Sequence, residues 1–331
     1  MTQLAKKIFL VSGCSGYIGS HLCYWLKELD CTVVGIDRVV PGNHESPFID
    51  KFFCFDLTAP LDCWPDIPTG AGIFHCAGLI EGGASYHEPV SYFDHNVVST
   101  RNLLEWAHRK RVSNFIFSSS ASVYGNQTAQ PIPECATALP INRYGWTKHV
   151  AEELISAFGV EFDLSWICLR YFNVAGGMYQ LGLGEKHTPE THLIPLAVQA
   201  ALGKSIGGFR IFGHDFPTGD GTCVRDFVHV MDLVRGHTHA MNHLVNAGSS
   251  GRFNLGTGKG YSVLQVVNCV AELVGYDRFF SFSERREGDP PELIAANSKA
   301  ANILGWSPVE SDLNSIVLSS ILCEKSRMAD A

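Results

Sequence analysis

The chain has 331 residues, of which 46% are hydrophobic and 18% are charged, and its formal net charge is −8. This composition predicts a compact α/β protein, and the acidic balance argues against the basic face that a nucleic-acid-binding protein usually presents. The 11 cysteines include no Cys-x-x-Cys pair, which favours reduced thiols over a disulfide framework or a zinc ribbon. We find no signal peptide and no apolar run near the ~18 residues that cross a membrane, so we expect a cytoplasmic protein without membrane contact.

A glycine-rich turn follows the first predicted strand. Residues 7–12 form a short apolar run, and Gly13, Gly16 and Gly19 lead from it into a predicted helix over 21–29. Glycines in this arrangement allow a tight turn and a close approach of the backbone to a pyrophosphate. The free N–H groups at the start of the helix attract the same anion. The turn therefore indicates a dinucleotide site.

An acidic residue at the end of the second predicted strand supports this interpretation. The strand over 32–36 ends at Asp37, about 20 residues after the glycines, where a carboxylate binds the hydroxyl groups of the adenosine ribose. A glycine turn without a ligand would leave this acid unexplained. The carboxylate also repels a 2′-phosphate, so the pattern favours NAD over NADP. Because Arg38 is adjacent, NADP stays an alternative cofactor.

Strands and helices alternate through the first half of the chain. Further predicted strands cover residues 52–55, 72–78, 114–117 and 163–171, and helical stretches cover 89–109 and 144–158. This alternation predicts a Rossmann-type, doubly wound parallel sheet with right-handed crossovers.

The alternation breaks after residue 173. Residues 174–190 are rich in Gly, Pro and polar groups and are predicted to form a loop. Later predicted helices cover 192–202, 231–244, 262–274 and 298–304, later strands cover 209–213, 220–229 and 252–256, and the charged tail is expected to fray. We expect an NAD-binding domain over 1–173, rejoined by a segment near 225–245, and a smaller C-terminal α/β domain over 174–331 that binds the substrate.

The candidate catalytic groups lie between residues 118 and 148. The predicted strand 114–117 runs into three serines that end at Ser120, and Tyr144 and Lys148 share one face of the following helix. A phenol loses its proton near pH ~10, and an ammonium group beside it lowers that pKa. Such a tyrosine can act as a base, with the serine on the same substrate oxygen. An ordinary amphipathic helix with a Tyr–Lys contact is the alternative.

The Gly-x-x-Gly-x-x-Gly turn, the serine run and the Tyr-x-x-x-Lys motif resemble the extended branch of the short-chain dehydrogenase/reductase superfamily. Within it, the chain is similar along nearly its whole length to the UDP-glucose 4-epimerase family, most clearly at 13–21, 115–125, 144–148, 169–173, 211–233 and 285–291. The resemblance implies reversible oxidation at C4 of UDP-glucose or UDP-galactose with bound NAD, through a 4-keto intermediate. It also implies a homodimer that packs through the helices at 90–109 and 144–158.

The resemblance also implies roles for individual residues. Tyr144 would be the base, Lys148 would bind the nicotinamide ribose and lower the tyrosine pKa, and Ser120 would contact the sugar 4-hydroxyl. The cofactor-binding residues would be Gly13, Gly16, Tyr17, Ile18, Gly19, Asp37, Asp56, Leu57, Cys76, Ala77, Gly78, Asn96, Ser118, Tyr144, Lys148 and Tyr171. The residues that bind the UDP-sugar would be Ser120, Tyr144, Asn173, His192, Leu193, Phe212, Arg225, Arg286, Asp289 and Leu293.

Several alternatives stay open. The resemblance places Leu293 where a tyrosine of the family narrows the sugar site, so we expect turnover of 2-acetamido sugars beside the main pair, UDP-glucose and UDP-galactose. A 4-epimerase of UDP-N-acetylglucosamine or of another UDP-sugar, a pentose or a uronate, is an alternative. A 4-reductase or dehydrogenase and a non-catalytic NAD-sensing protein are further alternatives. A 4,6-dehydratase is disfavoured because Ser120-Ala121 stands where those relatives carry an acidic pair. His237 and His239 lack a neighbouring Cys or carboxylate, so we expect no metal there and a packed helix face instead.

Overall fold

The computed structural model describes residues 3–81, 83–204, 208–276, 279–286 and 288–329. Its strands are β1 (Ile8–Ser12), β2 (Thr32–Asp37), β3 (Lys51–Cys54), β4 (Gly72–His75), β5 (Asn114–Ser120), β6 (Ser165–Tyr171), β7 (Asn173–Ala175), β8 (Gly177–Met178), β9 (Leu183–Gly184), β10 (Phe209–Phe212), β11 (Val224–His229), β12 (Gly251–Leu255), β13 (Gly260–Ser262), β14 (Phe280–Ser283) and β15 (Glu292–Leu293). Its helices are α1 (Tyr17–Glu28), α2 (Pro89–Phe93), α3 (Ser99–Arg109), α4 (Arg143–Phe162), α5 (Leu193–Ala201), α6 (Val230–Val245), α7 (Val263–Val274) and α8 (Leu313–Ala329).

Seven strands form the central sheet, in the order β12-β6-β5-β4-β1-β2-β3, and each pair is parallel. The predicted Rossmann-type parallel sheet is therefore confirmed. The strand order reverses between β1 and β4, and ligands of such sheets bind in the crevice that opens at this point, outside the carboxyl ends of the strands. Every sequence motif that points to a cofactor or to catalysis lies near this edge of the sheet.

Both faces of the sheet are buried, which explains the continuous apolar runs of its strands. On β5 the side chain of Ile116 packs on one face, in the core that includes α1 and α6. Its neighbours Phe115 and Phe117 pack on the other face, in the core that includes α3 and α4. Successive residues of a strand point to opposite faces, so this single apolar run serves two cores.

The helical stretch predicted over 89–109 is interrupted. A π-helical turn, Asp94–Val98, joins α2 to α3, and it contains Asn96. Such turns are frequent at functional sites. Here the turn brings the Asn96 side chain against the loop that follows β4.

The second half of the chain surrounds β11, which pairs with β7, β13 and β15. The chain then returns to the central sheet through α6 and β12, which pairs with β6. The division into a cofactor-binding and a substrate-binding domain near residue 173 stays a prediction.

The C-terminal segment is a helix that the sequence analysis did not predict. Instead of fraying, the chain is helical in α8 up to Ala329, and Ile316, Val317 and Ile321 are buried in a core with residues of α5 and α7. No helix in the described part of the chain is long and apolar enough to span a membrane. All eleven cysteines are free thiols.

Candidate active site

A cleft of about 490 Å³ lies along the carboxyl ends of β1, β2 and β4, and we call it the cofactor cleft. It brings together eight of the predicted cofactor residues: Gly13, Gly16, Asp37, Asp56, Leu57, Cys76, Ala77 and Gly78. Its lining also includes residues that were not predicted, namely Ser15, Val39, Thr58, His95, Ser99, Lys186 and Thr188. Lys186 comes from the distant segment before α5, and no local pattern marks it.

The floor of this cleft is built from backbone that has no room for side chains. A Cβ atom on Gly13 would lie 2.6 Å from the Ala77 nitrogen, and one on Gly78 would lie 2.8 Å from Asn96 Oδ1. Gly13 has a φ of +72°, which strongly favours glycine. The N-cap of α1 is Gly16, which makes no side-chain cap, so the first N–H groups of the helix are available to an anion. These features fit the pyrophosphate of a dinucleotide.

Asp37 lines the cofactor cleft at the end of β2. Its carboxylate accepts hydrogen bonds from the Ser15 and Val39 backbone N–H groups, each at 3.0 Å. Arg38 turns away towards Asp56, whose Oδ2 lies 3.9 Å from its guanidinium. Among the described residues, no basic side chain forms an ion pair with Asp37, so a ligand in the cleft would meet a carboxylate that has no cationic partner.

A second cleft of about 340 Å³ lies beyond the tip of β5, and we call it the catalytic cleft. The predicted residues that line it are Tyr17, Ile18, Cys76, Ser118, Ser120, Tyr144, Lys148, Tyr171, Asn173, His192 and Leu193. Tyr144 stands in the first turn of α4, where the Asn142 side chain caps the helix by accepting from the Gly145 N–H at 2.7 Å. The cap fixes where the helix begins and therefore where the phenol points.

Lys148 is buried one turn after Tyr144. Its Nζ donates to the Ser118 carbonyl at 2.9 Å and lies 5.9 Å from the centre of the Tyr144 ring. Burial lowers the pKa of Lys148 to about 8. Burial raises the pKa of Tyr144, and a hydrogen bond with Ser120 opposes that rise. The prediction that Lys148 lowers the pKa of Tyr144 is therefore not confirmed: without a ligand, that pKa is raised.

Asn96, which we predicted to bind the cofactor, lines neither cleft. It is buried, donates to the Leu79 carbonyl at 3.0 Å and to Thr147 Oγ1 at 2.9 Å, and accepts from the Leu79 N–H at 2.8 Å. These bonds join the loop after β4 to α4, so Asn96 positions the two walls of the site. Gly19 is also absent from the cleft linings and packs inside the glycine turn.

A third cleft, also of about 340 Å³, contains the predicted residues Asn173, Leu193, Phe212, Arg225, Arg286 and Asp289, together with Arg210 and Thr191, which were not predicted. We call it the nucleotide cleft. The Arg286 guanidinium lies 4.0 Å from the centre of the Phe212 ring. Arg225 is held by the Pro290 carbonyl at 2.9 Å. Guanidinium groups bind diphosphates through paired hydrogen bonds, so the cleft suits an anion joined to a flat ring.

The nucleotide and catalytic clefts adjoin one another. Asn173, Thr191 and Leu193 line both of them. A nucleotide sugar whose diphosphate lies near the arginines would therefore extend its sugar towards Tyr144.

The sequence over residues 9–256 matches the NAD dependent epimerase/dehydratase family. The chain belongs to this family. The resemblance seen in the sequence motifs is thereby confirmed, and the cofactor of the family is NAD, in agreement with the cofactor cleft. Tyr144, Ser120 and Lys148 of the catalytic cleft carry groups that can exchange protons, and they stay the predicted catalytic residues.

Individual relatives of the family are similar over nearly the whole chain. The UDP-glucose 4-epimerase of Rhizobium leguminosarum bv. trifolii is 39% identical over 96% of this chain and 97% of its own length. The UDP-glucose 4-epimerase of Brucella ovis, solved in complex with NAD, is 37% identical with a TM-score of 0.88, covering 95% of this chain and 97% of that one. The Bifidobacterium longum enzyme, solved with NAD+ and UDP, is 30% identical with a TM-score of 0.87, covering 97% and 99% of the two chains.

Leu293, the predicted wall of the sugar pocket, lines neither the catalytic nor the nucleotide cleft. It lies on β15 beside Arg225, and it packs against a small core that contains Ala121, Tyr124 and Phe172. Its predicted influence on the accepted sugar has no support from this position and stays a prediction.

The two histidines of α6 have structural partners. His237 Nδ1 lies 2.9 Å from the Leu233 carbonyl, and Nε2 contacts the Tyr171 hydroxyl. His239 Nδ1 lies 3.0 Å from the Leu304 carbonyl. The packed-helix interpretation agrees with these contacts.

Proposed function

We propose that the protein is a cytoplasmic UDP-sugar 4-epimerase that interconverts UDP-glucose and UDP-galactose. The observation that carries the proposal is that Ser120, Tyr144 and Lys148 line one cleft, which shares residues with the arginine-containing nucleotide cleft. The similarity to UDP-glucose 4-epimerases over nearly the full chain supports the choice of substrate.

In this proposal Tyr144 takes the proton of the sugar 4-hydroxyl and later returns it. Ser120 binds the same oxygen, and Lys148, fixed by the Ser118 carbonyl, contributes a buried positive charge. Residues of the cofactor cleft would hold NAD, with the glycine turn at the pyrophosphate and Asp37 at the adenosine ribose. When bound, NAD supplies a reversible two-electron acceptor, so the oxidation at C4 needs no other reagent.

The nucleotide cleft is lined by arginines and the catalytic cleft mainly is not, and this difference supports inversion at C4. Arg225 and Arg286 offer cations held by the Pro290 carbonyl and the Phe212 ring, whereas most side chains that line the catalytic cleft are hydroxyl-bearing or apolar. If the nucleotide stays bound while the 4-keto sugar rotates, C4 would present first one face and then the other to the same bound cofactor, and inversion at C4 requires this. A reductase or dehydrogenase has no need of that turn.

Product analysis with no oxidant other than NAD tests the proposal. Purified protein, supplied with NAD, is mixed with UDP-galactose alone or with UDP-glucose alone, and the sugars and NADH are quantified at intervals. We expect both reactions to reach the same mixture of the two UDP-sugars without accumulating NADH. NADH formation in step with loss of the substrate would identify a dehydrogenase instead, and no change in either sugar would favour another UDP-sugar or an NAD-sensing protein.

We also propose a homodimer that packs through α2, α3 and α4. Val90, Phe93, Trp146 and Val160 are exposed on these helices, and the Phe93 and Trp146 rings stack at 6.0 Å. Trp146 and Val160 are 14 residues apart, close to four turns of one helix, so they share a face. Sedimentation should give a dimer for the wild type and a monomer for Val160→Glu. A monomeric wild type at micromolar concentration would contradict this assembly.

A further inference from the structure

Two histidines and two glutamates converge in the segment between β9 and α5. One potential ligand atom from each of Glu185, His187, Glu190 and His192 lies within 4.8 Å of all the others. In the sequence this stretch reads only as a polar loop with a proline. The proposed reaction assigns no role to the group as a whole, although His192 is also a candidate contact of the substrate.

The spacing of the four ligand atoms fits a tetrahedral metal ion. His192 Nδ1 lies 3.0 Å from Glu185 Oε1 and 3.0 Å from Glu190 Oε1. His187 Nδ1 lies 3.6 Å from Glu185 Oε1 and 3.6 Å from Glu190 Oε2. Tetrahedral zinc with bonds of about 2.0–2.1 Å separates neighbouring ligand atoms by about 3.3–3.4 Å. These four distances lie on both sides of that value, and no two ligand atoms of the group are more than 4.8 Å apart. Closing the widest pair by about 1.5 Å would complete the tetrahedron.

Two polar atoms of the group have unmet bonding capacity. The Glu185 side chain is only 6% exposed, and its Oε2 has no hydrogen-bond partner, nor does Nδ1 of His187. In the part of the chain that the structure describes, no lysine or arginine forms an ion pair with Glu185 or Glu190. Buried carboxylates are usually paired or coordinate a metal, because an isolated buried charge is costly. This group therefore calls for a cation.

Neighbouring contacts hold the ligands in place. Glu190 Oε1 accepts from the Thr191 and His192 backbone N–H groups at 2.8 and 2.9 Å. The edge of the Tyr17 ring packs on His187, with the ring centres 6.5 Å apart. Outer contacts of this kind orient metal ligands and raise the affinity of a site.

We propose that Glu185, His187, Glu190 and His192 bind one divalent transition-metal ion, with Zn²⁺ as the best fit. Imidazole nitrogens and carboxylate oxygens are accepted zinc ligands, and two neutral imidazoles with two carboxylates carry the two negative charges that Zn²⁺ neutralises. Four protein ligands make a closed, structural site. Because Glu185, His187 and His192 line the catalytic cleft, the ion would fasten the wall of that cleft to α5. This site goes beyond the proposed reaction and does not depend on it.

Metal titration of the whole protein tests the proposal. Chelator-treated protein is titrated with ZnCl₂, and with MgCl₂ for comparison, by calorimetry and by thermal unfolding. We expect one Zn²⁺ per chain, a higher melting temperature with zinc because only the folded chain presents the site, and no response to Mg²⁺. Absence of tight binding at one Zn²⁺ per chain overturns the site.

Variants then locate the ion. His187→Ala and Glu190→Gln should each lower zinc affinity by more than about 100-fold, since loss of outer partners alone costs about 10–100-fold. His214→Ala removes an exposed histidine outside the group and should leave zinc affinity unchanged. Unchanged affinity in both ligand variants means that zinc binds elsewhere, for example at an exposed cysteine, and overturns the proposal.

If a variant fails to fold, the visible spectrum of the wild-type protein loaded with Co²⁺ tests the site instead. In the wild-type protein Co²⁺ should give the intense visible absorption of a tetrahedral nitrogen–oxygen site. A weak octahedral spectrum, or a sulfur-to-cobalt charge-transfer band, overturns the proposal without any substitution.

Discussion

Lys148 directs its ammonium group to the Ser118 carbonyl and not to the phenol of Tyr144, although the two side chains stand one turn apart on α4. The Nζ–oxygen distance is 2.9 Å, and the Tyr144 ring centre lies 5.9 Å from Nζ. The lysine is thus anchored to the tip of β5, the same strand end that presents Ser120. Lys148 therefore links α4, which carries Tyr144, to the strand end that carries Ser120.

That burial has a measurable effect on stability. The pKa of Lys148 falls to about 8 from 10.5 because the ammonium is desolvated. Between these values the unfolded chain keeps a proton that the folded chain has lost, so the folded state gains stability as pH rises from about 8 to about 10.5. We expect the free energy of unfolding of the wild type, relative to Lys148→Met, to increase by about 2–3 kcal/mol between pH 7 and pH 10.5. Urea unfolding of both proteins at the two pH values measures this, and a difference that stays constant with pH would refute the burial argument.

Glu152 is a second buried anchor of α4. Its carboxylate accepts from Arg170 at 2.9 and 2.6 Å and from Arg252 at 3.0 Å, and it is fully buried. Removing one partner of a buried pair leaves an uncompensated charge and costs about 3–5 kcal/mol. Glu152→Gln should therefore lower the free energy of unfolding by a few kcal/mol. Glu153→Gln is the matched control. Glu153 is exposed, and among the described arginines it contacts only Arg252. This substitution should therefore lower the free energy of unfolding by less than about 1 kcal/mol. Equal losses in the two variants would contradict the assignment.

Asp37 should decide between NAD and NADP. Its carboxylate is held by the Ser15 and Val39 N–H groups, and Arg38 is turned towards Asp56. A 2′-phosphate would therefore meet a negative charge. We expect the wild type to bind NAD more tightly than NADP, and Asp37→Ala to bind NAD more weakly and discriminate less.

Asp37→Asn separates charge from hydrogen bonding, since it keeps the size of the side chain and removes the negative charge. It should relax the discrimination while preserving more of the NAD affinity than Asp37→Ala does. Fluorescence titration with both cofactors measures the two constants, and equal affinity of the wild type for NAD and NADP would rule out the role of Asp37.

Local sequence patterns predicted the parts of the site that lie close together in the chain. The glycine turn, Asp37 at the end of β2 and the one-turn spacing of Tyr144 and Lys148 are fixed by strand and helix geometry over a few residues. The parallel sheet followed from the alternation of apolar strands and helices.

Features that depend on distant contacts were missed. Lys186 and Arg210 reach the clefts only through the path of the folded chain. The π-helical turn at Asn96 has no sequence signature, because it is set by hydrogen bonds to Leu79 and Thr147. Helix α8 was not predicted, because we interpreted its charged C-terminal end as a frayed tail. Its buried residues pack in a core that other helices also form.

We propose Tyr144 as the base of a 4-epimerase, and Tyr144→Phe is the decisive variant. Phenylalanine keeps the ring packed in the catalytic cleft and removes only the titrating oxygen. Turnover of UDP-galactose to UDP-glucose is measured for the variant and the wild type, alongside bound NAD and the melting temperature. We expect a loss of turnover of about 10²–10⁴-fold, with NAD content and melting temperature nearly unchanged. Near-normal epimerisation by a folded, NAD-containing Tyr144→Phe protein would contradict it.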